Sequence, residues 1–204
     1  MNGKGFGRDA VQAAFAVQRR EDMVRQGSIF PNFEYVSYDG NRKELYSQIE
    51  QSPAAVLFLR YIGCTKCRLD LHELLASEAM IRKKGLRVFV VFQSEPQTVR
   101  QEVGQFPFEI ICDPEQQLYR RFEVAAAQTR EELLALDHFG REHEAFQKAK
   151  VALGLTHGAY EGNELQKPAI FVLDADKKVV FAHYAGSLMD MPPMGQWIGL
   201  FPDL

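Results

Sequence analysis

Three near-continuous apolar runs, at residues 54–60, 86–92 and 108–112, alternate with segments whose apolar residues recur every three or four positions. Runs with no polar face predict strands covered on both sides. Between the first two, the segment opening at Cys64 carries Leu71, Leu74, Leu75 and Met80 and closes on Lys83-Lys84-Gly85, a basic last turn followed by glycine. Strand, helix, strand with short links predicts a right-handed βαβ unit. Ser94-Glu95-Pro96-Gln97 reads as a capping box with Ser94 as the cap. Asp113-Pro114 reads as the cap and first position of a further helix that turns Leu118, Tyr119 and Phe122 inward.

The flanks have other rhythms. Residues 8–26 predict an amphipathic helix ended near Gly27. Phe30 to Tyr38 alternates aromatic and polar residues into Asp39-Gly40, a strand entering a turn, and residues 42–50 predict a short helix with Leu45, Tyr46 and Ile49 inward. Residues 125–160 place Leu133, Leu134, Leu136, Phe139, Phe146, Val151 and Leu153 on a helical stripe among charges. That stretch is too long for a bare loop and predicts one or two amphipathic helices. Such a stripe either packs on the body or forms a lid or dimer surface. Ile170–Leu173 and Val179–Ala182, joined across Asp174–Lys177, predict a hairpin, and a last helix is expected near 193–201 around Trp197.

The order predicts an α/β protein of the thioredoxin-like class, a mixed central sheet flanked by helices. It has an N-terminal helical extension over 1–29 and a helical insertion at 125–160 before the C-terminal hairpin, with residues 1–204 forming one domain. The 204 residues, 46% hydrophobic and 25% charged, are of ordinary globular composition. A net charge of −3 argues against nucleic acid or anionic lipid as a partner. No apolar run reaches the roughly 18 residues of a membrane span, and no signal-peptide pattern opens the sequence. Three cysteines are too few for a secreted disulfide framework. A reduced, cytoplasmic setting is expected.

Candidate chemistry centres on Cys64-Thr65-Lys66-Cys67. Residues three apart on a helix have α-carbons about 5 Å apart, within disulfide range. A thiol at a helix start meets unpaired amide hydrogens and the positive end of the dipole, which favours a thiolate. Arg60, Lys66 and Arg68 add positive charge nearby. Cys64 is therefore expected as the nucleophile and Cys67, one turn in on the face of Leu71 and Leu74, as the resolver. Two plainer readings stand beside this one: inert buried thiols, or a zinc site completed by Cys112 and His72. No second CxxC supports the zinc, so neither metal nor cofactor is expected.

The segment Phe58 to Arg68 resembles the peroxiredoxin-like branch of the AhpC/TSA family, within the thioredoxin superfamily, as do Pro168 to Asp174 and Val180 to His183. The likeness runs from about residue 30 to the C-terminus and is least at 125–160. It implies redox activity on peroxides or protein disulfides, with a thiol reductant. The family's P-x-x-x-T-x-x-C is absent: its first two positions are Leu57 and Tyr61 relative to Cys64, or Arg60 and Cys64 relative to Cys67. No arginine follows Arg141, where the family's distant arginine would be sought. Thiol–disulfide exchange is thus expected ahead of peroxidase activity, with a redox-inactive binding module as a third reading. Lys167-Pro168 resembles the cis proline beside thioredoxin active sites, so Pro168, Tyr61 and Arg60 are the candidate substrate-binding residues. Cys112 reads as a buried apolar residue, and His72, His138, His143, His157 and His183 as ordinary surface or loop residues.

Overall fold

A computed structural model describes residues 23–203. Seven strands form one sheet in the order β2-β1-β5-β4-β3-β6-β7. They are β1 (Glu34–Ser37), β2 (Arg42–Glu44), β3 (Ala54–Phe58), β4 (Arg87–Phe92), β5 (Glu109–Cys112), β6 (Ala169–Leu173) and β7 (Val179–Tyr184). The predicted apolar runs are β3, β4 and β5, mutually parallel at the centre. β1 joins β5 antiparallel on one side, and β6 and β7 continue antiparallel from β3 on the other.

The described helices are α1 (Leu45–Ile49), α2 (Thr65–Ala76), α3 (Glu78–Lys83), α4 (Pro96–Val103), α5 (Gln117–Arg121), α6 (Arg130–Leu134), α7 (Leu136–Ala152) and α8 (Met194–Ile198). Alternation along β3 explains why its run has no polar face. Ala55 and Leu57 point into a layer with Leu71, Leu74, Val99 and Trp197, whereas Ala54, Val56 and Phe58 point into one with Phe30, Tyr119, Phe122 and Phe171. In the second layer Phe30 and Phe122 stack with centroids 4.9 Å apart. Each fully buried side chain of this kind contributes about 1.5–3 kcal/mol, so β3 is a fixed base for the turn at its end.

Several expectations change in detail. The helix from Cys64 breaks at Ser77 (φ −96°, ψ 2°) into α2 and α3, so Met80 turns to solvent and Ile81 takes the inward place, while Leu75, ahead of the break, lies on the exposed side of α2. Residues 42–50 begin as β2, which pairs with β1 across the Asp39-Gly40 turn, and become helical only at Leu45. Ser94 is no cap: Glu95 holds that position with Pro96 at the first turn of α4. Asp113 does not hold the cap position, which is Gln116, and Pro114 lies in a turn rather than at the first helical position. The Asp113 carboxylate still accepts from Gln117 N (2.9 Å) and Leu118 N (2.8 Å) at the start of α5. The insertion forms two helices hinged at Ala135 (φ 42°), and of its stripe Leu133 is buried whereas Leu136, Val151 and Leu153 are exposed. The helix expected at 8–26 falls on residues outside the described ones up to 22, and no helix is present at 23–26. Among the described residues no helix is long and apolar enough to cross a membrane.

Candidate active site

The site begins where β3 ends. Leu59 N–H still donates to Val91 O (3.0 Å), after which Tyr61-Ile62-Gly63-Cys64 turns, closed by Cys64 N–H donating to Tyr61 O (3.1 Å). Cys64 takes the N-cap position of α2 with extended backbone, and Arg68 N–H donates to its carbonyl as the first helical bond. The turn brings Cys64 and Cys67 back onto Arg60, the last residue before it. The Arg60 backbone N–H donates to Cys67 Sγ (3.4 Å) and its guanidinium Nη1 to Cys64 Sγ (3.5 Å). One residue therefore holds both sulfurs.

Electrostatics separates the two thiols. The adjacent Cys67 thiol and then the Arg60 guanidinium favour the Cys64 thiolate strongly enough to overcome its burial, lowering its pKa to about 6. Burial, with the Cys64 thiolate as a further charge, pushes Cys67 well above the ordinary thiol range. The other two expected cations are committed elsewhere. Lys66 pairs with the buried Asp70, and Arg68 pairs with Glu102 (2.6 Å) while donating to Ile62 O and Thr156 O.

A roof that the sequence reading did not anticipate covers this turn. The chain leaving α7 crosses Gly63 so closely that a Cβ there would stand 2.1 Å from Ala159 O, and Gly158 N–H donates to Gly63 O (2.8 Å). Tyr61 OH donates to His157 Nε2 (3.1 Å), because His157 Nδ1 is engaged with Gly158 O (2.7 Å). Tyr160 lies over the His157 ring at 4.2 Å. Ser94, displaced from capping, accepts from Ile62 N–H and donates to Glu161 (2.6 Å). Gln93 exchanges hydrogen bonds with Asn163, and Arg60 Nη2 donates to Glu164 O. Beneath the roof lies a cavity of about 490 Å³ that Arg60, Tyr61, Cys64, Lys66, His157 and Glu164 help to line. His157 reads as an ordinary loop residue because its partner Tyr61 lies 96 positions earlier in the chain. The only local signal is the close spacing of aromatic and glycine residues in His157-Gly158-Ala159-Tyr160-Glu161-Gly162.

Two expectations fail here. The Lys167–Pro168 bond is not cis; no cis bond occurs among the described residues. Pro168 lines a separate hollow with Tyr119, Tyr184 and Gly186 rather than the Cys64 cavity. It is held by carbonyl acceptance from Ala185 N–H (3.1 Å), an extension of the β6–β7 ladder that a trans residue satisfies. His183 turns to Asp190. Cys112 is buried at the end of β5, its thiol pushed up to about 12 chiefly by burial, and His72 is exposed. Among the described residues no group of three or more potential ligands is arranged to hold a metal.

Comparison with known proteins gives the family and the fold. A family model described as AhpC/TSA antioxidant enzyme matches residues 70–187, more than half of the chain, beginning just past Cys67 and including the roof. No curated protein matches. Solved structures share the fold at low identity. A mutant of peroxiredoxin 6 of Arenicola marina superposes with a TM-score of 0.61 at 14% identity, covering 87% of this chain and 71% of that one. A putative thiol:disulfide interchange protein DsbE from Chlorobium tepidum gives 0.56 at 18%, covering 87% and 97%. A thiol peroxidase from Chromobacterium violaceum gives 0.55 at 16%, covering 83% and 82%.

Proposed function

The chain belongs to the AhpC/TSA antioxidant enzyme family, and on that premise we propose that it is a thiol-dependent oxidoreductase whose Cys64 and Cys67 cycle between dithiol and disulfide, with a small hydroperoxide as oxidant. The observation that carries this reading is the pair Arg60–Cys64: a thiol with its pKa lowered to about 6, 1% exposed, lining the roofed cavity.

Magnitudes assign the roles. At pH 7 a thiol of pKa about 6 is roughly 90% thiolate, against about 3% for an unperturbed one. Its intrinsic nucleophilicity is lower by about tenfold at a Brønsted slope near 0.45. The attacking step gains only about two- to threefold, so the larger benefit comes when Cys64 is expelled as a leaving group. The Cys64 thiolate attacks the outer oxygen of ROOH, the O–O bond breaks, and alkoxide leaves and takes a proton, leaving Cys64 sulfenic acid. Cys67 sulfur then attacks Cys64 Sγ, expelling water and closing the disulfide. The Arg60 guanidinium faces the charge in both steps, the place of the arginine sought without success beyond Arg141. Two electrons from external thiols complete the cycle.

A protein disulfide as substrate, favoured by sequence reasoning, has less support: Cys64 is 1% exposed, beneath the roof. Graded hydrogen peroxide followed by mass spectrometry tests the proposal. Cys64–Cys67 should close at near-stoichiometric peroxide, Cys64→Ser should lose at least about 10³-fold in peroxide consumption, and Cys67→Ser should accumulate Cys64 sulfenic acid. Full peroxide consumption by Cys64→Ser would overturn the assignment, and faster turnover with a protein disulfide than with peroxide would overturn the choice of oxidant.

A further inference from the structure

We propose that the thiol reducing the Cys64–Cys67 disulfide is a small molecule bearing a carboxylate, held at the mouth of the Cys64 cavity; this rests on the dithiol cycle above. A protein dithiol must bring its own sulfur within bonding distance of Cys64 Sγ. That sulfur is presented to the cavity and not to the outer surface, Cys64 being 1% exposed under a roof bonded to Gly63, Tyr61, Gln93 and Ser94. A cavity of about 490 Å³ is of the size that takes small ligands.

The lining says what such a ligand carries. The lining includes exposed Arg130 and half-buried Lys150 together with buried Arg60 and half-buried Lys66, against a single carboxylate, Glu164. Lys66 is neutralised by Asp70, and once Cys64 is tied up in the disulfide it carries no charge, which leaves three cations to one anion on a chain whose net charge is −3. Two buried donors also lack acceptors. Arg60, 8% exposed, has an Nε–H with no partner, although its other nitrogens reach Cys64 and Glu164. His143 accepts from the Gln147 amide at Nε2 (3.2 Å), which leaves a hydrogen on Nδ1, itself buried and unpartnered. Unmet buried donors together with excess positive charge fit an anionic oxygen acceptor.

The electron count closes with two such thiols. The first thiolate attacks Cys64 Sγ, the Cys64–Cys67 bond breaks, and Cys67 leaves with the electron pair and takes a proton. The second attacks the outer sulfur of the mixed disulfide, releasing the Cys64 thiolate and a small-molecule disulfide. The low pKa of Cys64 favours that second release.

The test oxidises the full-length protein with hydrogen peroxide, verifies the disulfide by mass, and measures its reduction by 3-mercaptopropionate, 2-mercaptoethanol, cysteamine, glutathione and thioredoxin, each rate expressed per thiolate. At low salt 3-mercaptopropionate and glutathione should exceed 2-mercaptoethanol by at least about fivefold, with cysteamine slowest. The preference should shrink toward unity in about 0.5 M salt and in the Arg130→Gln, Lys150→Gln double variant. It should grow in Glu164→Gln and persist in Lys148→Gln, which removes a charge on α7 that pairs with Glu144. Equal rates for charged and neutral thiols, or thioredoxin outpacing every small thiol, would overturn the proposal while leaving the dithiol cycle intact. If peroxide forms no Cys64–Cys67 disulfide, the cycle itself fails and this proposal with it.

Discussion

Helices α2 and α7 lie side by side, and they obey different rules. In its 12 residues α2 buries Cys67, Leu71 and Leu74 in the core layer on the sheet, whereas α7 runs 17 residues without one buried residue. The apolar face of α2 holds the thiols in place as part of the core. The contribution of α7 is to deliver the segment at its C-terminal end, which reaches the site through glycine backbone, hydroxyls and amides. The platform is built by deep burial, whereas the insertion rests on a small apolar cluster of its own (Leu133, Leu188 and Met189, with Phe139 and Phe146 of α7 against it) and its end reaches Gly63, Tyr61 and Ser94 by directional bonds.

The difference can be broken from either side. Truncating the platform should have the largest effect on stability: Leu74→Ala, at a site with no exposure, should cost about 2–5 kcal/mol in denaturant unfolding. Next is the seam between platform and cover. Gly63→Ala would drive a Cβ into Ala159 O and should cost about 1–3 kcal/mol, while exposing Cys64 to alkylation by bulky reagents. Unchanged stability and alkylation in that variant would mean that the roof is not held at Gly63. A smaller effect, specific to the chemistry, comes from removing the guanidinium. Cys64 reacts as thiolate above its pKa, so its alkylation by iodoacetamide should rise through a midpoint near pH 6. In Arg60→Gln the midpoint should move upward, lowering the rate at pH 6.5 by about two- to fivefold, the loss of thiolate being partly offset by its greater nucleophilicity; an unmoved midpoint would remove Arg60 from the account. Last, Val151→Gln on α7, at a position 80% exposed, should stay within about 0.5 kcal/mol of the parent. A larger loss there would show that α7 is covered in solution.

Legibility in the sequence divides along the same line. The three central strands were readable because each is buried on both faces and cannot tolerate a polar residue, and the CxxC because its chemistry lies within one helical turn. Met80 misled because a single-residue break at Ser77 rotates every later position, and periodicity carries no sign of where a helix re-phases. Leu75, ahead of the break, is exposed because Leu71 and Leu74 already take the inward face of α2. Ser94 misled because its hydroxyl had a stronger claim on it than the nearby helix: the amide of Ile62 and the carboxylate of Glu161. Pro168 misled because a proline before a strand looks the same from sequence whether its peptide bond is cis or trans.

What the sequence alone determined is local: which runs are buried, where α2 starts, and that two thiols share its first turn beside Arg60. Burial and helix geometry are properties of neighbouring residues, so a pattern of a few positions suffices to express them. Only the tertiary structure decided that Arg60 holds both sulfurs, that His157 meets Tyr61 from 96 residues away, and that the insertion ends as a roof over Gly63. Those contacts join distant segments through directional bonds, and a hydrogen-bond donor in a sequence does not name its acceptor.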